Sequence, residues 1–196
     1  MVNSIDTYEK WESIVGKGRI LPAFPGAGGS ITNDILDTSL TPRFIQPTTF
    51  SEITGKKTNR TQQLTQIFNC ARIPFQQVND MHIWQLCHLG MVVPLADAYY
   101  QTEYPESVGQ DKVIMKNTAK ELKHNFKILY ENLHTLSPFK MHIFRNLPIP
   151  ILTYILSQTY KSRFGYTFMY QHAIKAPDEM KELHNQFNSY IKKWRL

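Results

Sequence analysis

The pattern of apolar and polar positions changes period once along the chain, near residues 75–80. Before that point, short apolar runs alternate with turn residues. "TYEKWESIV" predicts one short amphipathic helix, ended by Gly16 and Gly18. "RILPAF" is a short apolar run with strand character. "RFIQPTTFSEIT" alternates and is rich in Thr, Ile and Phe, which predicts an edge strand or hairpin with Pro47 at a bulge or edge. "GKKTNRTQQLTQIFNCA" sets Leu64, Ile67, Phe68 and Ala71 at helical spacing. "RIPFQQVND" then predicts a short strand.

Beyond the change the pattern is helical. "DMHIWQLCHLGMVVPLADAYYQ" is apolar on nearly every face, which predicts a helix buried on all sides and kinked at Pro94. "DKVIMKNTAKELKHNFKILYENLHTL" carries Met115, Leu122, Phe126, Leu129 and Leu133 on one stripe. Ser137-Pro138 suits the start of the next element, with Ser as cap and Pro as first helical residue. "LPIPILTYILSQTY" predicts another apolar helix. The last segment places Asp178 and Glu179 early and Lys192, Lys193 and Arg195 late, the order the helix dipole favours. The expected fold class is α+β, mainly α. A small α/β part covers residues 1–77 and an all-helical part covers 78–196.

Composition narrows the function classes. Apolar residues make up 42% and charged residues 19%, a globular balance with no disordered tract. A net charge of +6 favours anionic ligands, nucleic acid or an acidic membrane surface. The basic residues look scattered, however, and no basic stripe with interleaved aromatics stands out, so no nucleic-acid partner is expected. No uncharged apolar run has the length of a membrane span, so no membrane partner is expected either. "MVNSIDTYEK" lacks the basic and apolar regions of a signal peptide. Cys70 and Cys87 lie in no metal-ligand spacing, so no metal is expected and the thiols suit a reducing, cytoplasmic setting.

One stretch tests for a phosphate cradle. "RILPAFPGAGGSI" holds Gly26, Gly28 and Gly29, with Gly18 just before it. The dinucleotide fingerprint needs G-x-G-x-x-G. From Gly26 the sixth position is Ile31, and from Gly16 it is Leu21, so both frames fail. The next residues, "TNDILDTSLTPRF", are polar and turn-rich and do not suit a helix. The glycines are therefore expected to let the backbone turn tightly after a strand.

Taken together, "GKGRILPAFPGAGGSI", "PTTFSEITGKKTNRTQQLTQIFNCARIPFQQVNDMHIWQLCHLGMVVPLADAY" and "HAIKAPDEMKELHNQF" resemble the ketopantoate reductase (2-dehydropantoate 2-reductase) family. The resemblance spans nearly the whole chain but only the later part of the family's architecture. It implies residues 1–77 as the end of a Rossmann-type domain lacking its first part. It implies residues 78–196 as a helical domain of the 6-phosphogluconate dehydrogenase C-terminal-like type. "GAGG" is then a late turn of the nucleotide domain. The family reduces 2-keto acids with NADPH, so NADP is the implied cofactor of an intact member. This chain, without the fingerprint, is expected to bind none.

The resemblance also implies site residues. The family's proton-donating lysine, two residues after Trp84, falls on Leu86, and its substrate-holding asparagine falls on Gly90. Leucine donates no proton, so the chain alone is expected to be inactive. His88 matches a histidine of some relatives and is read either as a packed core residue or as a replacement proton donor. His172 is read first as helix packing and second as a cleft residue. Glu179, in the terminal "DEM" motif, is read as a first-turn dipole residue or a catalytic carboxylate. Asn3 matches an asparagine beside the nicotinamide, and Glu52 matches an acidic residue on the substrate side. Three functions compete: the C-terminal part of a reductase, a non-catalytic helical dimerisation or binding module, and one half of a split reductase. The expected partners are a second copy, paired through the helices, and a separately encoded N-terminal half.

Overall fold

The computed structural model describes Ile5 and residues 7–194. The chain forms two compact units divided between Gln85 and Leu86, within one long helix. It is mainly helical with a small sheet, the α+β, mainly α class expected from the pattern.

The first unit opens with helix α1 (Tyr8–Val15), which ends at Gly16 with φ 97°. A three-stranded sheet comes next, in the order β1–β4–β5. Strand β1 (Ala23–Phe24) pairs antiparallel with β4 (Thr48–Phe50), and β4 pairs parallel with β5 (Phe75–Gln77). Helix α2 (Asn59–Cys70) makes the crossover between the parallel strands, as parallel pairing requires. The expectation of an edge strand around Pro47 is corrected: β4 is central and buried along its length. Pro47 precedes the ladder, so its missing N–H removes no strand bond. Phe50, Phe68 and Phe75 form the local core, with ring centroids 5.7–6.2 Å apart. Of the stripe expected on α2, Phe68 is buried while Ile67 and Ala71 face solvent.

Strands β2 (Ala27–Thr32) and β3 (Ile35–Leu40) form a separate antiparallel hairpin. The expected glycine turn is therefore corrected as well. Gly28 and Gly29 sit within a strand, opposite Ser39 and Thr38. The turn lies at Asn33–Asp34, with φ of 51° and 61°. Asn and Asp tolerate this left-handed backbone, and two such residues make the tight hairpin turn that matches strand twist.

The second unit is helical. Helix α3 (Met81–Tyr100) enters it, runs through Pro94 and is buried on most sides. Helix α4 (Lys112–Leu133) starts at Asp111, whose carboxylate accepts the Val113 and Ile114 N–H groups at 2.8 and 2.9 Å. It buries Met115, Leu122, Phe126 and Leu129 as expected, and packs against helices α5 (His142–Asn146) and α6 (Ile149–Lys161). A wider π turn, Gly165–Tyr170, leads to α7 (Gln171–Lys175) and α8 (Pro177–Lys192). Helix α8 buries Met180, Leu183, Phe187 and Ile191, which recur at helical spacing. Tyrosines fasten the helices: buried Tyr160 donates to the Leu95 carbonyl and the more exposed Tyr100 to the Ala173 carbonyl, each at 2.6 Å. No helix among the described residues is long and apolar enough to cross a membrane.

Candidate functional site

Helix α3 carries the positions that chemistry would need. Leu86 is fully buried. At Gly90 a Cβ would lie 2.8 Å from Leu129 Cδ1 and 3.4 Å from Phe187 Cζ. The Gly90 carbonyl accepts a hydrogen bond from Asn125 Nδ2 at 3.2 Å. Gly90 is thus closed in by the helical core, and a side chain there would have to displace the Leu129 methyl.

His88, two residues after Leu86, is also buried. Burial, helped by the nearby His172, pushes its imidazole pKa down to about 3. A group with that pKa is neutral near pH 7, so it is poorly matched to donating a proton there. His172, on α7, is exposed. Glu179 is exposed in the first turn of α8, next to Asp178. The fold thus draws His88 and His172 into one neighbourhood and leaves Glu179 on the surface. Asn3 lies outside the described residues.

Glu52 occupies a different setting, at the end of β4 in the first unit. Its carboxylate is 7% exposed and is gripped by Arg60 through both Nε and Nη2, the former at 2.7 Å. The Thr58 hydroxyl donates to the same carboxylate. Arg60 also donates to the Gly18 carbonyl at 2.7 Å and the Ile20 carbonyl at 2.9 Å. The Arg60 hydrogen bonds pull the Glu52 carboxyl below the usual carboxylate range, against an opposing effect of burial. Thr58 caps α2 and shares a reciprocal capping box with Thr61. Glu52 therefore joins the start of α2 to the segment between α1 and β1. Its acceptor capacity is spent on protein donors.

Sequence pattern alone misses another constellation, on α3, α4 and α8. His184 Nδ1 lies 2.6 Å from Asp97 Oδ2, and His184 Nε2 lies 2.7 Å from Asn188 Nδ2. Asn188 Nδ2 donating to Nε2 goes with Nδ1–H donating to Asp97 Oδ2, one of the tautomers that the two contacts allow. Burial raises the Asp97 pKa, partly offset by His184. Burial raises Glu121 too, and the Asp97 charge adds to it. The pair is partly open to solvent, at 37% for His184 and 23% for Asp97. It can hold and share a proton. One signal is present in the sequence: Asp97 is the sole Asp, Glu, Lys or Arg between Asp80 and Glu103. Its partner lies 87 positions away, which no local pattern reveals. Among the described residues, no group of three or more His, Cys, Asp or Glu side chains could hold a metal ion.

The glycine stretch brings backbone segments close together. A Cβ at Gly26 would lie 2.3 Å from the Thr48 backbone N, and one at Gly29 would lie 2.4 Å from the Asp37 carbonyl oxygen. These glycines allow strands to approach one another, and the Gly26 N–H is bonded to Thr48 Oγ1 at 3.0 Å. Phosphate binding at a glycine loop needs free backbone N–H groups at a helix start. No protein-family model, curated protein or solved structure matches the chain.

Proposed function

We propose that the chain is a ketopantoate-reductase-like protein whose reducing site has been converted to packing. On this reading it corresponds to the end of a Rossmann-type domain followed by the family's helical domain. By itself it neither binds NADPH tightly nor reduces 2-keto acids. The observation that carries the reading is the Leu86–Gly90 face of α3. One position offers a buried leucine where a proton donor is required, and at the other a substrate-holding side chain would have to displace the Leu129 methyl. The parallel β4–α2–β5 crossover, followed by a long buried helix and an all-helical unit, supports the family assignment. The strand pairing at Gly28 and Gly29 supports the absence of a phosphate cradle.

A thermal-shift titration with NADPH tests the cofactor part. The expected result is no saturable rise in melting temperature. A saturable rise would overturn it, because a ligand that binds the native state must stabilise it.

The split-reductase reading is favoured by one feature. Strand β5 is a short edge strand, paired on one side to β4 and able to take a further strand on the other. Co-expression with a candidate N-terminal half tests it by co-purification and by recovery of NADPH oxidation.

A further inference from the structure

Helix α4 orders lysines that look scattered in the sequence. Lys112, Lys116, Lys120, Lys123 and Lys127 recur at steps of four, four, three and four. At the helical angle per residue they fall within an arc of about 80° and run about 22 Å along the axis. The arc lies to one side of the buried stripe of Met115, Leu122 and Phe126. Lys123 ties this arc to the next elements: the Nζ donates to the Arg145 and Leu147 carbonyls, both at 2.8 Å. Those carbonyls belong to the connection between α5 and α6.

That connection opens a stretch of chain without acidic residues, which follows the ion pair of Lys127 with Glu131 at the end of the lysine row. Residues 132–177 contain no Asp or Glu, yet they hold Lys140, Arg145, Lys161, Arg163 and Lys175. Helix α6 faces the core with Leu152, Leu156 and Tyr160 and turns Ile151, Tyr154 and Ile155 outward. Tyr154 is 66% exposed, and Phe139, just before α5, is 83% exposed. A helix apolar on both faces is incompletely covered in water. The occupant must therefore present apolar contact to α6 and negative charge to the surrounding cations. A second copy of the same face would bring like charges together. A nucleic acid would neutralise the lysines but leave the isoleucines in water.

We propose that α4, α5 and α6 form a peripheral docking surface for an anionic lipid bilayer. The lysines and arginines lie at the headgroups, and Phe139, Ile151, Tyr154 and Ile155 enter the acyl boundary. This matches how interfacial surfaces combine apolar area with cationic charge. It is a contact with one leaflet, not a span.

Co-sedimentation of the full chain with phosphatidylcholine vesicles, with and without phosphatidylglycerol, tests it. Binding is expected only when phosphatidylglycerol is present and is expected to weaken as salt is raised. The triple variant Lys112→Glu/Lys116→Glu/Lys120→Glu should lose on the order of a hundredfold in partitioning. The variant Ile151→Ser/Tyr154→Ser keeps the charge and should also lose binding, while circular dichroism reports whether each variant folds. Equal binding to neutral vesicles, or no binding to anionic ones, overturns the proposal. So does anionic binding that folded variants leave unchanged. Self-association in light scattering without vesicle binding overturns it in favour of a second copy. Retention of a single-stranded oligonucleotide without vesicle binding overturns it in favour of nucleic acid.

Discussion

Burial disfavours the charge on both Glu52 and Asp97, yet their pKa values shift in opposite directions. Glu52 ends a central strand and meets a guanidinium fork, and its pKa falls. Asp97 lies inside an apolar helix and meets an imidazole, and its pKa rises. The difference lies in the partner. Arg60 stays charged at every relevant pH and offers two parallel donors plus spare N–H groups for backbone carbonyls. His184 brings a single ring nitrogen to Asp97, and burial outweighs its effect. One carboxylate is therefore a fixed tie in the first unit. The other shares its surroundings with Glu121 and titrates with them. His88 extends the contrast, because burial drives it to the neutral form as well.

The largest expected effect belongs to His88. Its folded pKa of about 3 lies below the ordinary 6.5, so only the unfolded chain takes a proton between those values. Stability is therefore lost as pH falls below 6.5, by about 3 kcal/mol on reaching pH ~4. Urea denaturation across that range should show the loss in the native protein, and His88→Gln should flatten it. An unchanged slope in His88→Gln would mean that other groups carry the acid sensitivity.

Arg60→Met comes next, at about 2 kcal/mol. It strands Glu52 and frees the Gly18 and Ile20 carbonyls, while the partial exposure of Arg60 softens the cost. A denaturation midpoint close to that of the native protein would mean that Glu52 and Arg60 are no tie at all.

The contrast itself is read from two pH profiles. The Glu52 pKa is depressed, so its contribution is present above the ordinary 4.5 and lost as pH falls through the folded value. The Asp97 pKa is raised, so stability is lost as pH rises from the ordinary 3.8 through the folded value. Glu52→Gln should therefore remove a slope of one sign, and Asp97→Asn a slope of the other. Two slopes of the same sign would break the comparison. The smallest effect is that of Asp97→Asn near neutral pH. The amide oxygen still accepts from His184 Nδ1–H, and the change should stay within about 1 kcal/mol.

Legibility in the sequence tracks the range of the interactions. Helices α1, α3, α4, α6 and α8 are visible because an apolar stripe at helical spacing is a local signal. Strand β4 reads as an edge because Pro47 is a local signal, whereas its pairing involves residues far along the chain. The hairpin is obscured because its glycines suggest a turn of their own, while Asn33 and Asp34 supply the left-handed backbone. Among candidate residues, Glu52 stands out in the sequence, but the grip of Arg60 on it does not. Asp97 and His184 go unseen because their pairing joins α3 to α8. The lysines of α4 are plain in the sequence. Only the helical register makes them a row.

The proposed reading places packing at Leu86 and Gly90 where a reductase would carry its chemistry. Its most direct test is the loss of NADPH absorbance with a panel of 2-keto acids, using the purified full chain at high enzyme concentration. The predicted rate is indistinguishable from that without protein. Steady NADPH oxidation that depends on both the keto acid and the chain, and that survives removal of contaminating activities, would contradict it.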